Sequence, residues 1–468
     1  MNQTQEMAES STNGERDQPL TPAGRLFLQP LTDQVINCAI ACQHPLDVQA
    51  IKNEVQNSIM LKHPRFRSLI VRDSCGREHW RRTQVNVDRH VFVHPHPLSH
   101  NDDAVNDYIA DLCVSTPLPI DKPLWEIHLL LAHNTAVFRV HHALGDGISL
   151  MSMLLSCCRR VDDPSQPPSV GVVSEAALRR RRRWSLWILL KMIWYTLIYV
   201  LEFVLRALWL RDKTTAVSGG SGLELWPRRL ATARFRIDDM KIVKKAIGDA
   251  TINDVLFGVI SYGISRYLDI RSSKGKKRTL REGLQLTGVA MVNLRPQAGL
   301  QEITKLMNSN SGMRWGNKFG FLLLPIYYHK CGSDPIQFVK RAKSMIDKKK
   351  LSLEAPLSYK IGDLAMSLFG AKIASILNYR ILCNTTFTIS NIIGPHEEIT
   401  AAGNPVKHMR VTSSSLPHAI TMHMVSYAGF ADMQILVAKE VIPDPKVLAK
   451  CFEDALLEMK EAAIKSLG

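Results

Sequence analysis

The sequence predicts an α/β protein built from two or three domains. Its 468 residues are enough to bury more than one hydrophobic core. In the first half, β-branched and aromatic segments at residues 125–131 and 135–140 predict two strands joined by a turn at His133-Asn134. An apolar helix is expected to follow at residues 148–155. Strands and helices therefore occur together, as in mixed α/β folds.

The second half continues this mixture of helices and buried strands. A helix is expected to begin near Thr251 and to run through Tyr262 and Tyr267, and an amphipathic helix at residues 444–466 closes the chain. Between these helices, apolar patterns predict strands at residues 288–294, 387–389, 411–424 and 431–437.

Residues 141–147, His-His-Ala-Leu-Gly-Asp-Gly, follow a predicted strand. Because neighbouring strand residues point to opposite faces, one of His141 and His142 can face a cavity while the other packs inward. Gly145 and Gly147 are expected to let the chain turn tightly around Asp146. A strand-end histidine held by a nearby carboxylate is well placed to accept a proton. A lone histidine of this kind is usually structural, but the whole seven-residue pattern favours catalysis.

The composition is strongly basic, with a formal charge of +16. Such a surface favours acidic partners, namely nucleic acid, anionic lipid or a phosphorylated small molecule. The sequence contains no zinc-finger or helix-turn-helix pattern, so nucleic acid is the least favoured of the three. Nine cysteines without regular spacing indicate a reducing, cytosol-facing compartment. Residues 1–18 are polar, lack the apolar core of a signal peptide and are expected to be disordered.

The motif at residues 141–147 is one of several that carry a family resemblance. It matches the HHxxxDG signature of CoA-dependent acyltransferases and of peptide-synthetase condensation domains. The other motifs are Pro-Leu-Trp-Glu at 123–126, Asn-Asp-Val at 253–255, Asn-Leu-Arg at 293–295, Trp-Gly-Asn at 315–317 and Ser-Asn-Ile-Ile-Gly-Pro at 390–395. From residue 19 almost to the C-terminus, the chain resembles the plant-type branch of the wax ester synthase/diacylglycerol acyltransferase family.

The resemblance implies two chloramphenicol-acetyltransferase-like α/β domains that face each other across an active-site tunnel, with acyl-CoA and alcohol entering at opposite mouths. We expect an N-terminal domain at residues 19–160, a linker with a membrane-associated helical insert at 161–225 and a C-terminal domain at 226–468. The implied reaction moves a fatty acyl group from acyl-CoA to a long-chain alcohol, to diacylglycerol, or to both, with no metal and no bound cofactor. The implied location is the endoplasmic reticulum membrane, or the plasma membrane or Golgi, with the catalytic part facing the cytosol.

The resemblance also assigns catalytic roles. His142 would be the general base that deprotonates the acceptor hydroxyl, and no covalent enzyme intermediate is needed. His141 would pack or hydrogen-bond behind His142. Asp146 would turn away from the cavity into a structural pair, and with Gly147 it would shape the loop.

Further residues are expected to bind the substrates. The oxyanion of the tetrahedral intermediate needs fixed donors. Asn253 is the candidate, although helix capping by Asn253 and Asp254 stays open as the alternative. The other residues expected to line or brace the site are Trp125, Asn293, Arg295, Ser390 and Asn391.

The linker carries five consecutive arginines at residues 179–183 and an apolar, tryptophan-rich run at 184–210. The run is long enough to cross a bilayer, but polar residues interrupt it on one helical face, namely Lys191, Tyr195, Glu202 and Arg206. Three interpretations stay open: a single span, a helix in the membrane interface with its polar stripe outward, and a buried core helix. The arginines suit an anionic membrane surface, and a span would separate the two halves of one active site. We therefore favour a flat or re-entrant helix, and we expect deletion of residues 179–210 to release the protein from membranes while sparing activity.

Two other functions stay open at this point. A BAHD-type acyltransferase of a soluble metabolite shares the HxxxD pattern, but the DFGWG motif of that class is absent from this sequence. A non-catalytic, membrane-bound lipid-binding relative is the second alternative. The intact His142, Asp146 and Gly147 argue against it.

Overall fold

The computed structural model describes residues 17–98, 103–115, 117–169, 185–273, 280–295, 315–330, 332 and 334–467. The five arginines at 179–183 and Trp184 lie outside the described residues, as does most of the 1–18 segment. Across the described residues, the strands form two large sheets and one small sheet. The mixed α/β class expected from the sequence is therefore confirmed.

The first large sheet has seven strands. They are β2 (Val35–Cys42), β5 (Val91–His94), β6 (Trp125–Leu130), β7 (Thr135–His141), β8 (Cys158–Arg160), β13 (Ile399–Ala401) and β14 (Asn404–Ser413). Their order is β5-β6-β7-β2-β14-β13-β8, and β5 and β6 run parallel while the other neighbours are antiparallel. Since β13 and β14 come from the C-terminal half, both halves of the chain build this sheet.

The second large sheet has six strands, all from the C-terminal half. They are β9 (Arg228–Arg236), β10 (Gln285–Asn293), β11 (Phe319–Tyr327), β12 (Phe387–Ile393), β15 (Ile420–Tyr427) and β16 (Phe430–Ala438). Their order is β11-β10-β12-β15-β16-β9, and the central β10, β12 and β15 are parallel. The small sheet consists of β1 (Gln18–Pro19), β3 (Ser68–Arg72) and β4 (Glu78–Arg82).

Helices cover the two sheets. They are α1 (Pro22–Leu26), α2 (Val48–Asn57), α3 (Ile59–Lys62), α4 (Ala104–Ser115), α5 (Gly147–Ser156), α6 (Leu186–Leu208), α7 (Ile237–Lys245), α8 (Ile252–Ser273), α9 (Pro335–Leu351), α10 (Glu354–Cys383) and α11 (Pro445–Leu467). The largest apolar core joins α8, α9 and α11 to the six-stranded sheet. α10 is bent at Gly370, whose φ of 76° favours glycine.

Most elements expected from the sequence occur where the pattern placed them. The strand pair at 125–140 is β6 and β7, with Asn134 in a left-handed turn between them. The helix after the histidines is α5, and the helix that begins near Thr251 is α8. The expected stretch at 411–424 is divided, because it holds the end of β14 and the start of β15.

α6 is attached to the protein by its polar stripe. Arg206 is 3% exposed, with Nη1 3.0 Å from Asp212 Oδ1 and Nη2 2.8 Å from Thr287 Oγ1 on β10. Its Nε lies 3.1 Å from Glu202 Oε1. The ammonium of Lys349 lies 3.6 Å from the ring centroid of Tyr199. Glu202 and Arg206 therefore face the protein, where buried partners compensate the charge of Arg206, while Lys191 at the other end of the stripe is exposed.

The opposite, apolar side of α6 is exposed. Trp187, Trp194, Leu197 and Leu201 each keep more than half of their surface accessible. The expectation that the polar stripe faces outward is therefore wrong for Glu202 and Arg206 and holds for Lys191, while the alternative of a buried core helix is wrong. The exposed apolar surface of α6 continues onto α10 through Leu368 and Phe369. Both helices have the length and composition of a membrane span, a criterion that core helices of soluble proteins also meet.

Candidate active site

His142 follows the end of β7 and lies between the two large sheets. Its backbone N–H donates to the Gln34 carbonyl oxygen over 2.8 Å, which extends the pairing of β7 with β2 by one residue. The ring is 7% exposed and stacks on Phe27, with ring centroids 4.1 Å apart. The strand end therefore holds the imidazole in a largely dry environment.

Asn317 fixes the tautomer of His142. The Asn317 Nδ2 donates to the His142 carbonyl oxygen over 2.8 Å, and this bond defines which end of the amide carries the oxygen. The Asn317 Oδ1 then lies 3.0 Å from His142 Nδ1 and accepts a hydrogen bond from it. Since Nδ1 carries the proton, Nε2 presents its lone pair as a proton acceptor.

The surroundings of His142 favour the neutral ring. Burial lowers the pKa of His142 from 6.5 to about 4, and the nearby Asp146 carboxylate opposes this shift only in part. Besides Phe27, the ring of Phe319 lies 5.9 Å from His142 between centroids. The imidazole is therefore unprotonated at neutral pH and able to act as a base.

His141 points away from the cavity. Its Nδ1 accepts a hydrogen bond from the backbone N–H of Ala143 over 3.1 Å. The Nε2 therefore carries the proton and donates to Asp33 Oδ1 over 2.8 Å. As expected for alternating strand residues, the two histidines face opposite sides.

The Asp146 carboxylate accepts hydrogen bonds from three neighbouring protein groups. Its Oδ1 caps α5 by accepting from the Ser149 N–H over 3.0 Å. Its Oδ2 accepts from Arg295 Nη1 over 2.7 Å and from the Lys318 N–H over 3.0 Å. Arg295 in turn donates to Ser149 Oγ and to the Gly316 carbonyl oxygen. This buried pair ties the histidine loop to the loop between β10 and β11.

Gly147 packs closely against a neighbouring strand and does not adopt an unusual turn. Neither Gly145 nor Gly147 has a positive φ, so the expectation of glycine-dependent turning around Asp146 is wrong. A Cβ added at Gly147 would lie 2.7 Å from Ile392 Cδ1 on β12. The missing side chain therefore lets the start of α5 approach the second sheet.

A cavity of about 140 Å³ opens at His142. On the side of the seven-stranded sheet it is lined by Gln34, which precedes β2, by Ser413 on β14, and by Asp146 and Gly147 at the start of α5, while the six-stranded sheet contributes its facing side chains. The lining from this second side comprises Met291, Asn293, Phe319, Ser390, Asn391, Ile392 and His423. The cavity therefore lies at the interface of the two sheets, which agrees with a site between two facing units.

Several residues expected at the substrate site are at this cavity. Asn293, Ser390 and Asn391 line it, and Arg295 braces it through Asp146. The Asn293 Oδ1 accepts from the backbone N–H and the Nη1 of Arg295, each over 3.1 Å. Asn253 is instead exposed at the rim, where its Oδ1 accepts from Asn391 Nδ2 over 2.9 Å. It braces a lining residue and does not itself line the cavity.

Asp254 and Trp125 do not belong to the substrate site. Asp254 is buried at the start of α8, where its Oδ2 accepts from the N–H and the hydroxyl of Thr251. This is the capping alternative, in the form of a capping box. Trp125 is fully buried, stacks on His90 and donates from Nε1 to the Phe66 carbonyl oxygen over 2.9 Å. Its ring fills space in the core, and its N–H has a hydrogen-bond partner there.

Sequence reasoning missed four residues that surround His142. Asn317 belongs to a motif noted in the sequence, but no role was assigned to it. Phe27 and Phe319 carried no signal beyond their hydrophobicity. His423 on β15 is buried in the cavity, and burial together with nearby His142 lowers its pKa to about 4. Among the described residues, its Nδ1 has no hydrogen-bond partner.

Comparison with known sequences identifies the family. The model for the wax ester synthase/diacylglycerol acyltransferase catalytic domain matches residues 34–256, and the model for the WS/DGAT C-terminal domain matches residues 315–460. Wax ester synthase/diacylglycerol acyltransferase 11 of Arabidopsis thaliana is 34% identical over 96% of each chain. The chain belongs to the wax ester synthase/diacylglycerol acyltransferase family. Family member 5 of the same plant is 35% identical over 95% of this chain and 94% of its own.

Solved structures agree with this family fold. The wax ester synthase/diacylglycerol acyltransferase from Marinobacter aquaeolei VT8 has a TM-score of 0.59 at 17% identity, covering 95% of this chain and 99% of its own. The first condensation domain of the CDA synthetase has a TM-score of 0.57 at 14% identity, covering 97% and 98%. The expected pair of chloramphenicol-acetyltransferase-like domains is therefore confirmed at the level of the fold.

Proposed function

We propose that this chain transfers a fatty acyl group from acyl-CoA to the hydroxyl of a long-chain alcohol, of diacylglycerol, or of both, with His142 as the general base. Family membership supports the reaction class. The observation that carries the assignment of His142 is the Asn317 amide, which holds a neutral imidazole with its Nε2 lone pair unprotonated. A base held in one tautomer accepts a proton without first reorienting.

The proposed reaction proceeds in two steps within the cavity. The Nε2 of His142 takes the proton of the acceptor hydroxyl as its oxygen attacks the thioester carbonyl carbon. The tetrahedral intermediate then collapses, the carbon–sulfur bond breaks, and the imidazolium returns the proton to the CoA thiolate. The products are an ester and free CoA, and the resting enzyme is restored without a covalent intermediate.

The intermediate's oxyanion needs donors at fixed positions. We assign this role to Asn293 Nδ2 and the Ser390 hydroxyl, because both residues line the cavity. The Asn293 Oδ1 is held by Arg295, so its amide nitrogen is turned away from that guanidinium. Asn253 is the weaker candidate because its side chain is exposed, and water competes for its hydrogen bonds.

We further propose that α6 lies flat on the cytosolic face of a membrane of the endoplasmic reticulum, with its tryptophans among the lipid headgroups. The contact of Arg206 with Thr287 supports a flat helix, since a spanning helix would pull β10 into the bilayer. The exposed Trp187 and Trp194 suit the interface. The basic stretch at 179–183 would add attraction to anionic lipid.

The direct experiment supplies purified protein with radiolabelled acyl-CoA and either hexadecanol or diacylglycerol. Labelled wax ester, labelled triacylglycerol, or both are expected, and the ratio defines the preferred acceptor. His142→Ala is the matched control and should form neither. Ester formation only with a soluble metabolite would support a BAHD-type activity instead, and binding of lipid without product would support a non-catalytic relative.

A further inference from the structure

A second cavity lies directly beside the catalytic cavity. Its volume is about 220 Å³, and most of its lining is hydrocarbon. The walls come from α6, α10, β11 and the start of the chain, and include Leu26, Phe203, Ala207, Phe321, Met366 and Ile381. We call it the apolar cavity.

Phe319 is the wall that the two cavities share. Its side chain lines both, and its ring centroid is 5.9 Å from that of His142. On the adjoining wall, Leu26 lines the apolar cavity while the next residue, Phe27, stacks on His142. The apolar cavity therefore ends one aromatic ring away from the proposed base.

The other end of the apolar cavity reaches the surface between α6 and α10. The lining residues Val204 and Leu208 on α6 are exposed, and so is Gly362 on α10. These residues border the exposed apolar faces of the same two helices, which carry Leu201 and Leu368. Most side chains at this opening are apolar and make it accessible to hydrocarbon, while the exposed Asp363 next to Gly362 is unfavourable for anionic groups.

We propose that the apolar cavity binds the hydrocarbon tail of the acyl acceptor, which enters from the bilayer between α6 and α10 and places its hydroxyl past Phe319 at His142. The inference rests on the proposed function and specifies where its acceptor binds. The acceptor fits better than the donor, because a long-chain alcohol or diacylglycerol carries no charge and resides in the membrane. Acyl-CoA carries charged phosphates, which would have to cross the apolar face between the helices.

The test narrows the cavity and measures the dependence of activity on alcohol length. Gly362→Phe adds a ring at the outer end, where an added Cβ meets no atom within 4 Å, and a thermal unfolding curve checks that the variant is folded. Ala207→Phe adds the same ring further inside. Gly220→Phe is the matched control, because an added Cβ there also meets no atom within 4 Å and Gly220 lines neither cavity.

We expect both cavity variants to keep their activity with octanol and to lose kcat/KM for octadecanol by about tenfold or more, since burial of each methylene is worth about 0.8 kcal/mol. Gly220→Phe should follow the wild-type dependence of activity on alcohol length. Equal loss for all alcohols in a folded Gly362→Phe protein would overturn the proposal. A changed dependence on acyl-CoA length, with unchanged dependence on alcohol length, would assign the cavity to the donor and overturn it as well.

A labelling experiment separates this inference from the proposed function. Hexadecanol with a diazirine at the chain end is irradiated with the wild-type protein, and the modified peptides are identified by mass spectrometry. Labels on α1, α6 or α10 that are lost in Gly362→Phe are expected, whether or not ester forms. Labels confined to other elements would overturn the cavity assignment even in an active enzyme.

Discussion

Asn317 and His142 are joined by two hydrogen bonds, one to the ring and one to the backbone. The Oδ1 of Asn317 accepts from His142 Nδ1 over 3.0 Å, while its Nδ2 donates to the His142 carbonyl oxygen over 2.8 Å. A single amide therefore fixes both the position of the histidine and the nitrogen that carries its proton.

Asn317→Leu should lower kcat by about fivefold and leave KM for acyl-CoA nearly unchanged, since one hydrogen bond of about 1 kcal/mol no longer selects the reactive tautomer. Asn317→Asp is the informative partner variant, because it keeps an acceptor at Nδ1 and adds a negative charge. It should raise the pKa of His142 and shift the acidic limb of the pH–rate profile upward. An unchanged profile in both variants would argue against a role for Asn317 in orienting the base.

His142→Ala should lower ester formation by about 10²-fold or more while leaving the protein folded, because it removes the base. His141→Ala should lower it less. Since His141 donates to Asp33, Asp33→Asn should produce a loss similar to that of His141→Ala. Steady-state rates and thermal unfolding curves check these outcomes, and a fully active His142→Ala enzyme would contradict the mechanism.

Asp146→Ala should destabilise the protein by about 3–5 kcal/mol, because it leaves the buried Arg295 guanidinium without its carboxylate. The double variant with Arg295→Ala should cost less than the sum of the two single variants. The free energy of unfolding of Asp146→Asn should lie between those of the wild type and Asp146→Ala, since an asparagine still caps α5. Urea unfolding measures all four proteins. Loss of rate with an unchanged unfolding midpoint would instead make Asp146 a direct participant in catalysis.

The pH dependence should reflect the dry surroundings of the base. The pKa of His142 is lowered to about 4, and that of His423, which faces the same cavity, is also lowered to about 4. The titratable groups whose charges affect His142 or respond to it are Asp146, His141 and His423. The plateau of kcat/KM should continue well below pH 6.5 and fall only as the pH approaches about 4.

The same two histidines link pH to stability. The folded state lowers both pKa values below the unfolded value of 6.5. The contribution of the two neutral histidines to the free energy of unfolding is therefore complete above pH 6.5 and is lost as the pH falls from there towards 4. Urea unfolding of the wild type and of His423→Gln over this range measures the effect. For the activity prediction, a kcat/KM profile that already falls near pH 6.5 would contradict dry surroundings and show that the imidazole of His142 is hydrated in the resting enzyme.

Membrane binding should depend on the exposed side of α6 and not on the presence of the whole segment. Replacing Trp194, Leu197 and Leu201 together by glutamine should release the protein from anionic vesicles and leave its melting temperature unchanged, since all three are exposed. Deletion of residues 179–210 is now expected to unfold the protein, because Asp212 and Thr287 lose Arg206. Vesicle flotation and thermal unfolding test both. Retained binding by the triple variant would place the membrane contact elsewhere.

Local patterns were sufficient for much of the fold and for the centre of the site. Alternation and β-branching located β6 and β7, and the HHxxxDG motif marked the two histidines, whose opposite directions follow from strand geometry. The pairing of β14 with β2 was not predictable, because strand pattern does not specify which sheet a strand joins. The direction of α6 was also missed, since a stripe of Glu202 and Arg206 can face water or buried partners equally well.

The remaining site residues depend on distant contacts. Asn317 and Phe319 lie on one segment and His423 on another about 100 residues later, and their meeting at His142 follows from sheet order and not from spacing along the chain. Trp125 shows the converse error, because a residue in a recognisable motif can serve the core alone. The sequence predicted a tight turn at Gly147, whereas the structure shows that its missing side chain allows close packing against Ile392. No local pattern contains this distant contact.

The pairing of β14, from the C-terminal half of the chain, with β2 near its start has a consequence for protein synthesis. Val35 on β2 hydrogen-bonds to Ser414, 379 residues later, so one edge of β2 has no partner until nearly the whole chain has been made. At about 5–20 residues per second, that edge waits roughly 20–80 s on the ribosome. An open strand edge invites pairing with other chains. A ribosome that stops before residue 404 would thus release a product that is both inactive and prone to aggregate, and chaperone capacity should limit the yield of this enzyme.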